Sequence, residues 1–142
     1  MEIINIYCDG GARGNPGRAA GAFIAIDGRG KLVHKDSKFL GSTTNNVAEY
    51  EAVILALGWV LGKLNEVNFE NICFYLDSEL ITNQLNGTYK VKNLKLKELF
   101  FKVIKLQKKI NKNIFYKSIP REENKSADCL VNERLDKQKS FT

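Results

Sequence analysis

The stretch Ile3-Ile4-Asn5-Ile6-Tyr7-Cys8-Asp9-Gly10-Gly11-Ala12-Arg13-Gly14-Asn15-Pro16-Gly17 decides how the rest of the chain is read. A short, β-branched apolar run ends in a carboxylate. A glycine-rich turn follows, and a second apolar run begins at Ala19. Residues 3–8 therefore read as a buried strand. Asp9 sits at its C-terminal end, where open α/β sheets place their sites. An aspartate before glycine also opens ordinary turns, so Asp9 gains weight only from the carboxylates elsewhere.

Working outward, residues 19–27 and 31–40 read as the second and third strands, joined by the turn signal Asp27-Gly28-Arg29-Gly30. Turns this short imply an antiparallel meander. Over 45–64 the period changes. Val47, Tyr50, Val53, Ile54, Leu57, Val60, Leu61 and Leu64 recur at helical spacing, the pattern of a helix packed on a sheet. Residues 72–76 predict a fourth strand, ending in Asp77-Ser78-Glu79, and a helix over 80–85 stopped by Asn86-Gly87. A lysine-rich helix over 94–110 and a strand over 113–119, closed by Pro120, come next. Asn124 can cap a final helix bearing Ala127, Leu130, Val131 and Leu135. The polar tail from Lys137 is expected to fray.

The order is βββαβααβα, an α/β chain with a mixed sheet: a meander, then strands parallel to the first. The right-handed crossover rule sets strands one and four side by side, with Asp9 and Asp77 at the same end. With 142 residues, 44% of them hydrophobic, one domain over 1–142 with a real core is expected. No apolar run approaches the roughly 20 residues of a membrane span, and Met-Glu-Ile-Ile lacks a basic leader, so a cytoplasmic location is expected. Cys8, Cys73 and Cys129 show no metal-ligand spacing and read as small buried thiols. The net charge of +6 suits a polyanionic partner, though a modest lysine excess is common on ordinary surfaces.

Asp9, Glu49, Asp77 and Asp128 share one pattern. Two end adjacent strands, and two begin helices that must pack on that sheet. Glu49 projects beside Val53 and Val60 at the edge of the apolar arc. Each acid also has a structural alternative: Glu49 could complete a capping box with Asn46, Asp77 could cap the following helix, and Asp128 gains from the dipole of its own helix. Gathered together, however, like charges need a cation between them. Hard oxygen donors without a cysteine or histidine cluster select Mg²⁺ or Mn²⁺ over zinc. Two such ions about 3.5–4 Å apart support phosphodiester cleavage. The chemistry this predicts is metal-dependent phosphodiester hydrolysis.

Four pieces, Asp9-Gly-Gly-Ala-Arg-Gly-Asn-Pro-Gly17, Thr44-Asn-Asn-Val-Ala-Glu-Tyr50, Leu76-Asp-Ser-Glu-Leu80 and Asn124-Lys-Ser-Ala-Asp128, occur in one order across the chain. Through them the chain resembles the ribonuclease H type 1 family over nearly its whole length. The resemblance implies a ribonuclease H-like fold, a five-stranded mixed sheet flanked by helices. It implies endonucleolytic cleavage of the RNA strand of RNA–DNA hybrids with two Mg²⁺ ions (Mn²⁺ as an alternative), giving 5′-phosphate and 3′-hydroxyl ends. Asp9, Glu49, Asp77 and Asp128 would be the catalytic metal ligands, Asp9 bridging both ions and Asp128 holding the one that activates water. Asn15, Thr44, Asn45 and Asn46 match positions facing the hybrid. The Gly10–Gly14 backbone, including Gly10 and Gly11, would approach the RNA, where a Cβ would block contact. Thr44 and Asn93 are candidates for a DNA phosphate pocket, with an ordinary loop asparagine as the alternative for Asn93. Nothing requires more than a monomer.

The chain departs from the family pattern in two places. Many members carry a histidine in the loop before the last carboxylate, and this loop, Ile119-Pro-Arg-Glu-Glu-Asn-Lys125, has none. It looks like a branch with arginine there. Arg121 would contact a phosphate or help product leave but cannot shuttle protons; Glu122 or Glu123 could, or they are plain solvated charges. The basic protrusion of some bacterial members is also missing. Lys90, Lys92, Lys95, Lys97, Lys102, Lys105, Lys108 and Lys109 would stand in for it, or form a solvated face. Three other readings compete with this one. A P-loop fails, because no Gly-Lys-Ser/Thr follows the glycines. A resolvase or integrase on the same fold is opposed by the Thr-Asn-Asn and glycine-rich pieces. A non-catalytic binding module is opposed by the presence of all four acids.

Overall fold

The computed structural model describes residues 3–66 and 68–139. Five strands form one sheet in the order β3-β2-β1-β4-β5. They are β1 (Ile3–Gly14), β2 (Gly17–Asp27), β3 (Leu32–Thr43), β4 (Asn71–Leu76) and β5 (Asn113–Ser118). The first three pair antiparallel, and β1–β4 and β4–β5 pair parallel, so the mixed sheet and the neighbouring Asp9 and Asp77 strands are as the sequence predicts. The helices are α1 (Asn45–Gly62), α2 (Glu79–Leu85), α3 (Leu94–Ile110) and α4 (Lys125–Lys139).

Alternation along β1 sorts the two faces of the sheet. Ile4, Ile6 and Cys8 join Phe23, Tyr50, Val53, Leu57, Phe74, Leu99 and Val103 in the main core, under α1 and α3. On the opposite face α4 packs Val131 and Leu135 against Ala20 and Ala22 of β2, small residues that let the helix lie close. The turn after β2 is tied by Asp27, whose Oδ1 accepts the backbone N–H of Arg29 and of Lys31, both at 2.9 Å. Gly87, at φ +78°, ends the segment after α2 in a conformation that a side chain would strain.

Two expectations need correction. The glycine-rich segment is strand, not turn: β1 continues to Gly14, pairing Gly10 with Gly21 and Gly14 with Gly17, and only Asn15 and Pro16 form the hairpin tip. Gly10 in it is required by a helix, α1, that lies against it. α4 runs to Lys139, so the tail expected to fray from Lys137 begins within the last turn of that helix. Leu135 is buried, Arg18 Nη2 donates to its carbonyl (3.1 Å), and Arg13 holds Asp136 (2.8 Å); residues 140–142 lie outside the described residues. Of the cysteines only Cys8 is buried, Cys73 being half-buried and Cys129 exposed on α4. A 3₁₀ turn at Arg121–Glu123, too short to leave a periodic signal, precedes α4.

Candidate active site

The site forms where β1 outruns β4. The ladder between them stops at Tyr7–Tyr75 while β1 continues. Backbone groups just beyond find side-chain partners instead, as buried backbone must. The carbonyl of Cys8 accepts from Asn124 Nδ2 (2.8 Å), and the N–H of Gly10 donates to Glu49.

Glu49 reaches that position because α1 presses on the sheet. A Cβ at Gly10 would lie 2.2 Å from Ala48 C and 2.4 Å from Glu49 N, and one at Gly21 would lie 3.0 Å from Ala52 N. Gly10 thus makes room for the helix that carries Glu49, while its backbone also lines the cleft. A Cβ at Gly11 would meet only Val131 Cγ1 at 3.8 Å. Neither capping alternative holds. Thr44 caps α1, its Oγ1 accepting from Val47 N (3.2 Å), which frees Glu49. Ser78 caps α2, its Oγ accepting from Ile81 N (3.2 Å), which frees Asp77.

Asp9, Glu49 and Asp77 each bring a carboxylate oxygen within 4.8 Å of the others. Asp9 and Glu49 are buried. Burial, then the charges of Asp77 and Asp128, pushes the Asp9 carboxyl up to about 8. Burial, then Asp9 and Asp77, pushes Glu49 well above the usual carboxylate range. Glu49 Oε2 is buried without a hydrogen-bond partner. An orphaned carboxylate oxygen among like charges suits a cation, and the all-oxygen donor set fits a hard divalent ion. Asp128 stands outside this tight trio, exposed on the first turn of α4, yet it lines the same open cleft and raises the Asp9 carboxyl.

The cleft has a volume of about 420 Å³ and is also lined by Gly10, Gly11, Asn45, Asn46, Ser78 and Arg121. Asn15 and Thr44 sit beside it as braces. Asn15 Oδ1 accepts from Asn45 N (3.0 Å), and Asn45 Oδ1 accepts from Ala12 N (2.8 Å), bolting the hairpin to the start of α1. Asn93 caps α3, its Oδ1 accepting from Leu96 N (3.0 Å), and is not among the cleft-lining residues. Glu122 and Glu123 are exposed and also absent from the cleft lining, Glu123 bordering a separate hollow with Tyr7, Ile24 and Ile26. His34 stacks on Trp59 at 5.2 Å and is exposed on β3, as a surface residue should be.

Two cleft features carry no sequence signal of their own. Arg13 lines the rim, paired with Asp136 Oδ1 (2.8 Å) and donating to Asn132 Oδ1 (3.2 Å). Asn124, expected as a helix cap, instead turns its amide inward to Cys8 O and to Asp77 Oδ2 (3.1 Å).

A family profile described as reverse transcriptase-like matches residues 7–134. The chain superposes on a crystal structure of LC11-RNase H1 in complex with an RNA/DNA hybrid with a TM-score of 0.89 and 44% identity, covering 95% of this chain and 98% of that one. It superposes on RNase H1 of the archaeon Halobacterium salinarum with a TM-score of 0.87 and 32% identity, covering 95% and 98%. Among curated proteins it is 33% identical over 133 residues to ribonuclease HI of Halobacterium salinarum and 33% identical over 137 residues to a bifunctional protein of Mycobacterium tuberculosis. It spans 64% of the length of the first and 36% of the second. Sheet order, the acid-lined cleft and these likenesses agree: the chain belongs to the ribonuclease H type 1 family.

Proposed function

We propose that the chain is a ribonuclease H, an endonuclease that hydrolyses the RNA strand of RNA–DNA hybrids to 5′-phosphate and 3′-hydroxyl ends. The observation that carries this reading is the convergence of Asp9, Glu49 and Asp77 within 4.8 Å, in a chain 44% identical to an RNase H1 whose structure contains an RNA/DNA hybrid. Asp9, Glu49, Asp77 and Asp128 would hold two Mg²⁺ ions, with Mn²⁺ able to substitute. Such ions, when bound, activate a water and offset charge on the scissile phosphate and the leaving oxygen.

The remaining work falls to the chain's own residues. The side-chain oxygens of Asn15 and Asn45 already accept backbone N–H groups, which fixes each amide and leaves its NH₂ donors free for the substrate. A ribose 2′-OH is both donor and acceptor, and these donors suit its lone pairs. Asn46 lines the same wall. Thr44 and Asn93 spend an oxygen as caps and keep a donor for a DNA phosphate. Arg121, fixed on the cleft by the 3₁₀ turn, offers a permanent charge to a phosphate near the cut and cannot take a proton. The absence of Glu122 and Glu123 from the cleft lining argues against their replacing the missing histidine.

The four acids and Arg121 come from one chain, which supports a monomer as the working unit, with residues 1–142 as one nuclease domain. Free thiols at Cys8, Cys73 and Cys129 fit a reducing compartment such as the cytoplasm, and no described helix is long and apolar enough to cross a membrane. The test is a labelled hybrid incubated with and without Mg²⁺, with Asp9→Asn protein as the contamination control. Mg²⁺-dependent cutting of the RNA strand alone is expected. Retention of the hybrid without cutting would assign a binding module, and cutting of branched DNA a resolvase.

A further inference from the structure

Asn124 is 1% exposed, and its side chain is poorly explained by its position. Its backbone stands where a helix cap stands, its carbonyl accepting from Asp128 N (3.2 Å) at the start of α4. A capping asparagine would turn its side-chain oxygen onto the first turn of that helix. Here Oδ1 is buried and has no partner, while Nδ2 meets two acceptors, Cys8 O at 2.8 Å and Asp77 Oδ2 at 3.1 Å. Flipping the amide would set an oxygen against two oxygens, so the acceptors fix its orientation. Leaving a buried carbonyl unsatisfied is costly, and the contacts that offset it are those to Cys8 O and Asp77 Oδ2.

The two contacts together join three of the four acid-bearing segments. Cys8 precedes Asp9, Asp77 directly follows β4, and Asp128 lies one helical turn beyond Asn124. By donating to one oxygen of Asp77, the amide sets the tilt of the carboxylate and leaves the other oxygen for a ligand. Outer hydrogen bonds of this kind orient metal-binding carboxylates. We propose that Asn124 is a positioning residue that orients Asp77 for divalent-cation binding; this rests on the metal-dependent reading above.

The test follows cation binding directly. Free Mn²⁺ is monitored by electron paramagnetic resonance during titration of the whole chain, and Tm is recorded against Mg²⁺ concentration. Asn124→Ala is expected to need about tenfold more of either cation than wild type, while KM for the hybrid at saturating Mg²⁺ stays within about twofold. In an Asp77→Asn background the same change is expected to add no further loss, because its effect passes through Asp77. Unchanged cation titration in Asn124→Ala, or a second full loss in the Asp77→Asn background, overturns the inference. Should Asn124→Ala not fold, Asn124→Leu keeps the approximate shape and removes the donor without adding charge, and undiminished cation affinity there overturns it equally. A wild-type protein that binds neither cation would remove the metal-dependent reading itself, a distinguishable result.

Discussion

Asp9 shows that the site is built at the expense of the metal-free fold. Its carboxyl is pushed up to about 8 from an ordinary 3.8, by burial first and then by Asp77 and Asp128. The folded state therefore holds a proton that the unfolded state releases near pH 4. The stability this contributes is complete below pH 4 and is lost as pH rises toward 8. In EDTA, the Tm of wild type is expected to fall across that window more steeply than the Tm of Asp9→Asn. At pH 8 the variant is expected to be the more stable protein while cutting no hybrid. Parallel Tm–pH curves for the two proteins would contradict this. Arg121 tests the other wall of the cleft. Arg121→Ala is expected to lower kcat by about tenfold, roughly 1.4 kcal/mol of transition-state stabilisation, with KM changed less than twofold; equal losses in both, or no loss, would count against a contact made near the cut. The positions of three acids were legible from nearby boundary signals, Asp77 just after β4 and Glu49 and Asp128 in the first turns of α1 and α4, whereas Asp9, read as the end of its strand, stands inside β1. The orientation of Asn124 was not legible, since an asparagine before a helix reads as a cap and only the tertiary neighbours show its amide turned away.

At the scale of elements, most boundaries followed from period and punctuation: α3 spans 94–110 as its leucines and isoleucines predict. The one large misreading, at Gly10–Gly14, has a physical cause. Glycine weakens strands in isolation, so a glycine run reads as a turn, whereas here it permits helix-to-sheet contact closer than a methyl group allows. Gly10 and Gly11 separate the two explanations. A Cβ at Gly10 would enter the α1 backbone at 2.2–2.4 Å, where no flexible side chain can yield. Gly10→Ala is expected to cost about 3 kcal/mol in urea unfolding and to abolish cleavage by displacing Glu49. Gly11→Ala meets only Val131 at ordinary van der Waals distance and is expected to stabilise the fold by about 0.5 kcal/mol through the unfolded chain. A Gly10→Ala protein with wild-type stability would mean that α1 is free to lift, and that its tight seat does not set Glu49.

Across the whole molecule, charge is divided by function. The acids converge in one cleft while the chain carries a net +6, with the lysines of the 90–109 stretch exposed. Lys90 and Lys97 flank a second groove of about 300 Å³, together with Tyr89, Phe100 and Phe101. Composition alone left the positive charge ambiguous between a solvated face and a substrate track, because a count of lysines carries no geometry. The groove supplies the geometry: two cations beside exposed aromatic surface, as sites for nucleic-acid strands are built. Each phosphate neutralised on a duplex steepens the log–log salt dependence of binding by about 0.9. Lys90→Ala/Lys97→Ala is therefore expected to flatten the dependence of KM on salt by about 1.8 and to raise KM at low salt. Its kcat at saturating hybrid should stay unchanged, because neither side chain reaches the acidic cleft. A steady-state salt series on both proteins decides it. An unaltered slope would return these lysines to the solvated surface and leave Arg13, Arg121 and the asparagine wall to hold the hybrid alone.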